Sequence, residues 1–85
     1  MSGRLVEPAD YAAFLGRSIR AMGRRVADAD PYALAELCNL RAVLDAAETE
    51  AMAGLAAQGY SYTEVARPLG ITRQAARQRV TRARQ

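Results

Sequence analysis

Between Pro31 and Gly59 the chain presents no clear stop to a helix, and this stretch sets most of what the protein can become. Leu34, Leu37, Leu40, Leu44, Ala47, Ala51 and Leu55 recur at spacings of three and four, the period of one helical face. Asp30 suits the N-cap, and Pro31 suits the first helical position, where its missing N–H has no partner to lose. A helix of about 27 residues is roughly 40 Å long. That length is large for an 85-residue chain. Its apolar surface exceeds what one neighbouring helix and a small C-terminal unit can cover, which points to self-association through the first two helices. The alternative is a break around Asp45–Glu48 that gives two shorter helices packed within the chain.

Ahead of this stretch, Pro8 and Asp10 open a first helix. Tyr11, Leu15, Ile19, Met22 and Val26, with Phe14 beside them, make its apolar stripe. Arg17, Arg20, Arg24 and Arg25 take other positions and place positive charge toward the helix C-terminus, where the macrodipole favours it. The run DADP ends that pattern. Downstream, Gly59 closes the long helix as a left-handed C-cap, and Ser61 and Glu64 stand at the spacing of a capping box. A third helix runs to about Leu69, Gly70 and Ile71 turn the chain, and Thr72 caps a fourth helix to about Arg84. Pro68 removes the N–H that would bond the Glu64 carbonyl, so the third helix should be short and tightened at its end. No strand signal or repeat occurs. The expected fold is all-α, with an N-terminal helical hairpin and a long second helix, followed by a C-terminal helix-turn-helix. The expected regions are 1–46 for packing and dimerisation and 47–85 for the helix-turn-helix, in one compact domain.

Charge is distributed unevenly. Residues 1–56 hold six arginines and eight acids, whereas residues 57–85 hold six arginines and a single acid, Glu64. A basic end on a mildly acidic body is the electrostatic footprint of a nucleic-acid-binding module. Every cation is an arginine, a planar fork that grips phosphate or guanine with two bonds. Cys38 is the one cysteine, so no intramolecular disulfide forms, and its apolar neighbours Leu37 and Leu40 suggest a buried structural thiol. No apolar run is long enough to span a bilayer. The opening MSGRLVEPAD lacks the apolar segment of a signal peptide. A cytoplasmic, nucleoid-associated protein is expected, with no cofactor and no metal. Histidine and lysine are absent, and no phosphate loop, C-x-x-C or serine-elbow motif occurs, so an enzyme is not expected.

The last two helices carry the punctuation of a helix-turn-helix. Ala66 is the small residue where the second helix crosses the first, and Gly70 permits the tight turn. Val65, Leu69, Ile71, Ala76 and Val80 fall where apolar contacts must hold the two helices together. The motif G-Y-S-Y-x-E-V-A-x-x-L-G-I-T over 59–72, followed by a helix ending R-V-x-R-A-R, resembles region 4 of bacterial sigma factors and related response-regulator-type modules. The likeness covers 47–84. It implies DNA binding through the major groove. Residues 1–46 match no sigma region, so the resemblance implies a regulator carrying the reading module rather than a complete sigma factor.

On the fourth helix, Ala76, Val80 and Ala83 share one face, while Arg73, Gln74, Arg77, Gln78 and Thr81 share the opposite one. The primary sigma family carries T-R-E-x-x-R-Q here, matched by Thr72, Arg73, Gln74, Arg77 and Gln78. Gln74 departs from the family's glutamate, which implies a changed preference at one base pair. Arginine forks onto guanine and glutamine onto adenine, so Arg73, Gln74, Arg77 and Gln78 are the expected base contacts. Ser61, Tyr62, Thr63, Thr72, Arg82 and Arg84 are the expected phosphate contacts, with core packing the alternative for Tyr62. Arg79 lies on the inner flank and should pair with Glu64 or Glu50. Tyr60 should close the core at the entry to the third helix. The expected partner is double-stranded DNA, bound by a homodimer that pairs through its first two helices. The alternatives are a helical interaction module for RNA polymerase or a sigma factor, and a DNA-binding accessory of a phage, plasmid or recombination system.

Overall fold

The computed structural model describes residues 7–84. Most of the segment read for a signal peptide, residues 1–6, lies outside them. The described chain is all-α: α1 (Pro8–Ala27), α2 (Ala33–Ala57), α3 (Tyr62–Ala66), a 3₁₀ turn (Arg67–Leu69) and α4 (Arg73–Ala83). It falls into two compact units, Met1–Arg41 and Ala42–Gln85.

α2 is one uninterrupted helix of 25 residues, with no break at Asp45–Glu48. Asp30 caps the turn that leads into it, its Oδ1 accepting the Ala33 N–H at 3.1 Å. Pro31 and Tyr32 form a turn ahead of the helix rather than its first residues. At the far end Gly59 adopts φ 103°, a value that favours glycine. The Gly59 N–H bonds the Ala56 carbonyl at 3.0 Å and the Tyr60 N–H bonds the Leu55 carbonyl at 3.2 Å. This bond pair is the Schellman closure, which satisfies carbonyls the helix would leave orphaned.

α1 begins at Pro8 and carries Asp10 in its first turn and Arg24 and Arg25 in its last, in keeping with the macrodipole. It buries no residue. Tyr11, Phe14, Leu15 and Ile19 of its apolar stripe are each about half exposed, and the Tyr11 and Phe14 rings stack with centroids 6.4 Å apart. On α2, Cys38 is exposed, against the expectation of a buried thiol. One residue past Leu37 is about 100° around the helix, which turns Cys38 off the leucine stripe.

The buried core lies in the second unit. Met52 of α2, Val65 and Ala66 of α3, and Ala76 and Val80 of α4 form it, with Ala53, Tyr62, Leu69 and Ile71 partly buried against it. Ala76 and Val80 are fully shielded from solvent. Burying a side chain such as Val80 or Met52 contributes about 1.5–3 kcal/mol. Tyr60 is not part of this core. It is 50% exposed and follows directly on the Gly59 closure.

The link between α3 and α4 shows the effect of Pro68. α3 ends at Ala66 and the chain tightens into the 3₁₀ turn Arg67–Leu69, as the missing Pro68 N–H requires. Gly70 then takes φ 67°. Its N–H bonds the Arg67 carbonyl at 3.1 Å while the Ile71 N–H reaches the Ala66 carbonyl at 3.4 Å, a second Schellman closure. Ile71 packs against the core that Ala66 helps to form, the apolar contact that accompanies this motif.

Candidate nucleic-acid interface

Two side-chain caps hold the polar surface of the second unit. The Ser61 hydroxyl accepts the Glu64 N–H at 3.1 Å, and the Glu64 carboxylate accepts the Ser61 N–H at 2.9 Å, a complete capping box. The Ser61 backbone N–H, followed by its hydroxyl, holds the Glu64 carboxyl below its ordinary value against an opposing desolvation, and the nearby Arg67 charge adds the smallest push in the same direction. The one acid of residues 57–85 is thus turned back into the chain. At the start of α4 the Thr72 hydroxyl accepts the Ala75 N–H at 3.0 Å.

With both helix starts fixed, the exposed face of α4 and the start of α3 line one open groove of about 1230 Å³. From α4 it gathers Arg73, Gln74, Arg77, Gln78 and Arg82, with Thr81 between. From the entry to α3 it gathers Ser61, Tyr62 and Thr63, with Tyr60 and Ala56 completing the wall. No acidic side chain lines the groove, and three guanidinium groups do. All four expected base contacts therefore share one surface with four of the six expected phosphate contacts.

The other two stand apart. Thr72 does not line the groove, although its hydroxyl caps α4. Arg84 borders a separate hollow of about 470 Å³ together with Asp45, Thr49 and Glu50. Tyr62 packs against the core and also lines the groove. Of the residues expected to hold the last two helices together, Val65, Ala66, Ala76 and Val80 are buried, and Leu69 and Ile71 are partly so. Gly70 is exposed and contributes only the turn.

Arg79 pairs, but with neither Glu64 nor Glu50. Its Nη2 donates to the Thr49 Oγ1 at 2.8 Å, the Asp45 Oδ1 at 3.0 Å and the Asp45 carbonyl at 3.2 Å, with the Glu48 Oε1 at 3.5 Å. Glu64 is committed to the capping box. Asp45, Glu48 and Thr49 stand at positions i, i+3 and i+4, which share one face of α2, and Glu50 turns away from it. Met52 continues that face, three residues after Thr49. Leucine periodicity hid it, because Met52 lies beside the stripe that dominates the pattern. The usable signal was a second i, i+3, i+4, i+7 series, Asp45, Glu48, Thr49 and Met52, of mixed chemistry.

Comparison with protein-family models, with curated proteins and with solved structures finds no match to this chain. Among the described residues no helix is long and apolar enough to cross a membrane, and no cluster of acidic, cysteine or histidine side chains could hold a metal ion.

Proposed function

We infer that this protein is a small sequence-specific DNA-binding regulator that inserts α4 into the major groove. The observation that carries the reading is the single acid-free groove in which Arg73, Gln74, Arg77 and Gln78 stand beside the hydroxyls of Ser61 and Thr63. Arginine and glutamine are the side chains that bond purine edges in pairs, while hydroxyls and further arginines suit the flanking phosphates. The resemblance of 59–72 to sigma region 4 supports the same helix-turn-helix role, and Gln74 in place of the family's glutamate implies a changed preference at one base pair, so the target need not be a promoter element.

Selection of bound sequences from a random DNA library tests the reading directly. An enriched motif is expected, and its absence would overturn the proposal. On that motif, Arg77→Ala should cost about 1–3 kcal/mol and relax preference at one base pair, whereas Arg82→Ala should weaken binding evenly across sequences and lower the salt slope by about one.

A second reading rests on the exposed apolar stripe of α1, which suits a helical interaction module with RNA polymerase or a sigma factor as partner. If Arg73→Ala/Arg77→Ala leaves activity in the cell intact while changes on the first two helices abolish it, that reading prevails.

A further inference from the structure

α2 carries two different faces. Asp45, Thr49 and Met52 serve the C-terminal unit through Arg79 and the buried core. Roughly a third of a turn away run Leu37, Leu40, Leu44, Ala47 and Ala51, at successive spacings of three, four, three and four. That is the spacing an a/d coiled-coil seam uses. Leu37 and Leu40 are half-buried, whereas Leu44, Ala47 and Ala51 are exposed, Leu44 at 61% with Val43 beside it at 62%. In this heptad, Glu36 and Val43 occupy g positions and Arg41 and Glu48 occupy e positions.

Glu36 and Arg41 identify the occupant. Both are exposed, and neither makes an ion pair within the described chain. Five residues apart, they do not face each other along one helix, where pairs meet at three or four. A g residue does face the e residue five positions later on the other strand of a parallel coiled coil. The same two residues thus complement a second copy of themselves, twice over by symmetry. The contact is isologous and closes on itself.

We propose that α2 pairs in parallel with α2 of a second copy of this chain, through the Leu37–Leu40–Leu44 seam with reciprocal Glu36–Arg41 bridges. The pairing stands independently of DNA recognition. The small residues Ala47 and Ala51 let the two helices approach closely toward the reading ends, and the Met52 face stays free for its own unit.

Sedimentation of the full chain tests this. At high-micromolar concentration the expected species has twice the 9.2 kDa chain mass. Leu44→Glu should convert it to monomer. Glu36→Arg and Arg41→Glu should each weaken the dimer several-fold, and the double exchange Glu36→Arg/Arg41→Glu should restore it, which also serves if Leu44→Glu fails to fold. In a Cys38→Ser background, Leu37→Cys should cross-link to itself under copper–phenanthroline oxidation, because only a parallel seam sets residue 37 against its own copy. A monomeric wild-type chain, a dimer indifferent to Leu44→Glu, failure of the charge exchange to restore pairing, or no self-cross-link at 37 each overturns the proposal.

Discussion

Arg79 gives the sharpest test of how α4 is held. The substitution to consider is Arg79→Met, which keeps the aliphatic stem and removes the guanidinium. Nη2 has only two hydrogens, so its four acceptors cannot all be served at once. The Thr49 Oγ1 at 2.8 Å and the Asp45 Oδ1 at 3.0 Å take the main bonds, and the Asp45 carbonyl and Glu48 share what remains. A hydrogen bond to a charged group contributes about 1.5–3 kcal/mol where shielded, and an exposed ion pair only about 0.2–1 kcal/mol. Arg79 is 20% exposed but Asp45 is 74% exposed, so the pair with Asp45 belongs to the weaker class. The expected loss is therefore about 1–2 kcal/mol, with more of it from Thr49 than from Asp45. In urea, with a slope near 1 kcal/mol/M for so small a unit, the midpoint should fall by about 1–2 M at fixed protein concentration. Asp45→Asn should cost less than Thr49→Val, and added salt should narrow the Asp45 effect only. An Asp45→Asn loss equal to that of Arg79→Met would refute the reasoning, because it would make the contact coulombic. A midpoint unmoved by Arg79→Met would show that core packing alone fixes α4.

Three further outcomes follow from the turn and the α3 cap. Gly70→Ala should cost about 1–2 kcal/mol in urea melts, the left-handed penalty of an L-residue; φ is 67° and an added Cβ meets nothing within 4 Å, so the loss should be backbone strain without a clash. Ser61→Ala should lose about 1 kcal/mol by removing the α3 cap. The lowered Glu64 carboxyl adds stability above its ordinary value of 4.5, and this contribution is lost as pH falls through the lowered value. Melts across that window should show the loss in the wild type and a diminished one in Glu64→Gln.

Much of the local structure was legible residue by residue. The Ser61/Glu64 box, the Thr72 cap, the Gly59 and Gly70 closures and the Pro68 tightening depend on neighbours within a few positions, where geometry follows from residue type. The polar side of α4 was legible for the same reason, since a fixed period of 3.6 assigns faces without reference to anything else. The unbroken α2 was also readable, as the preferred reading beside a possible break.

What the sequence could not decide was which of several possible faces meets which. Arg79 had acids at Glu48, Glu50, Asp45 and Glu64 to choose among, and only the placement of α4 beside Asp45 and Thr49 selected its partners. Met52 is apolar in a helix full of apolar residues, and only the packing of Val65, Ala76 and Val80 marked it as the one α2 side chain fully buried. Tyr60 and Cys38 were placed inside by their neighbours in sequence and are outside in space. Sequence alone determined the helices, most of their ends and the surface α4 can present, because those are local properties of backbone and period. Tertiary structure decided which face of α2 became core and which stayed open, because burial is settled by contacts between residues far apart in the chain.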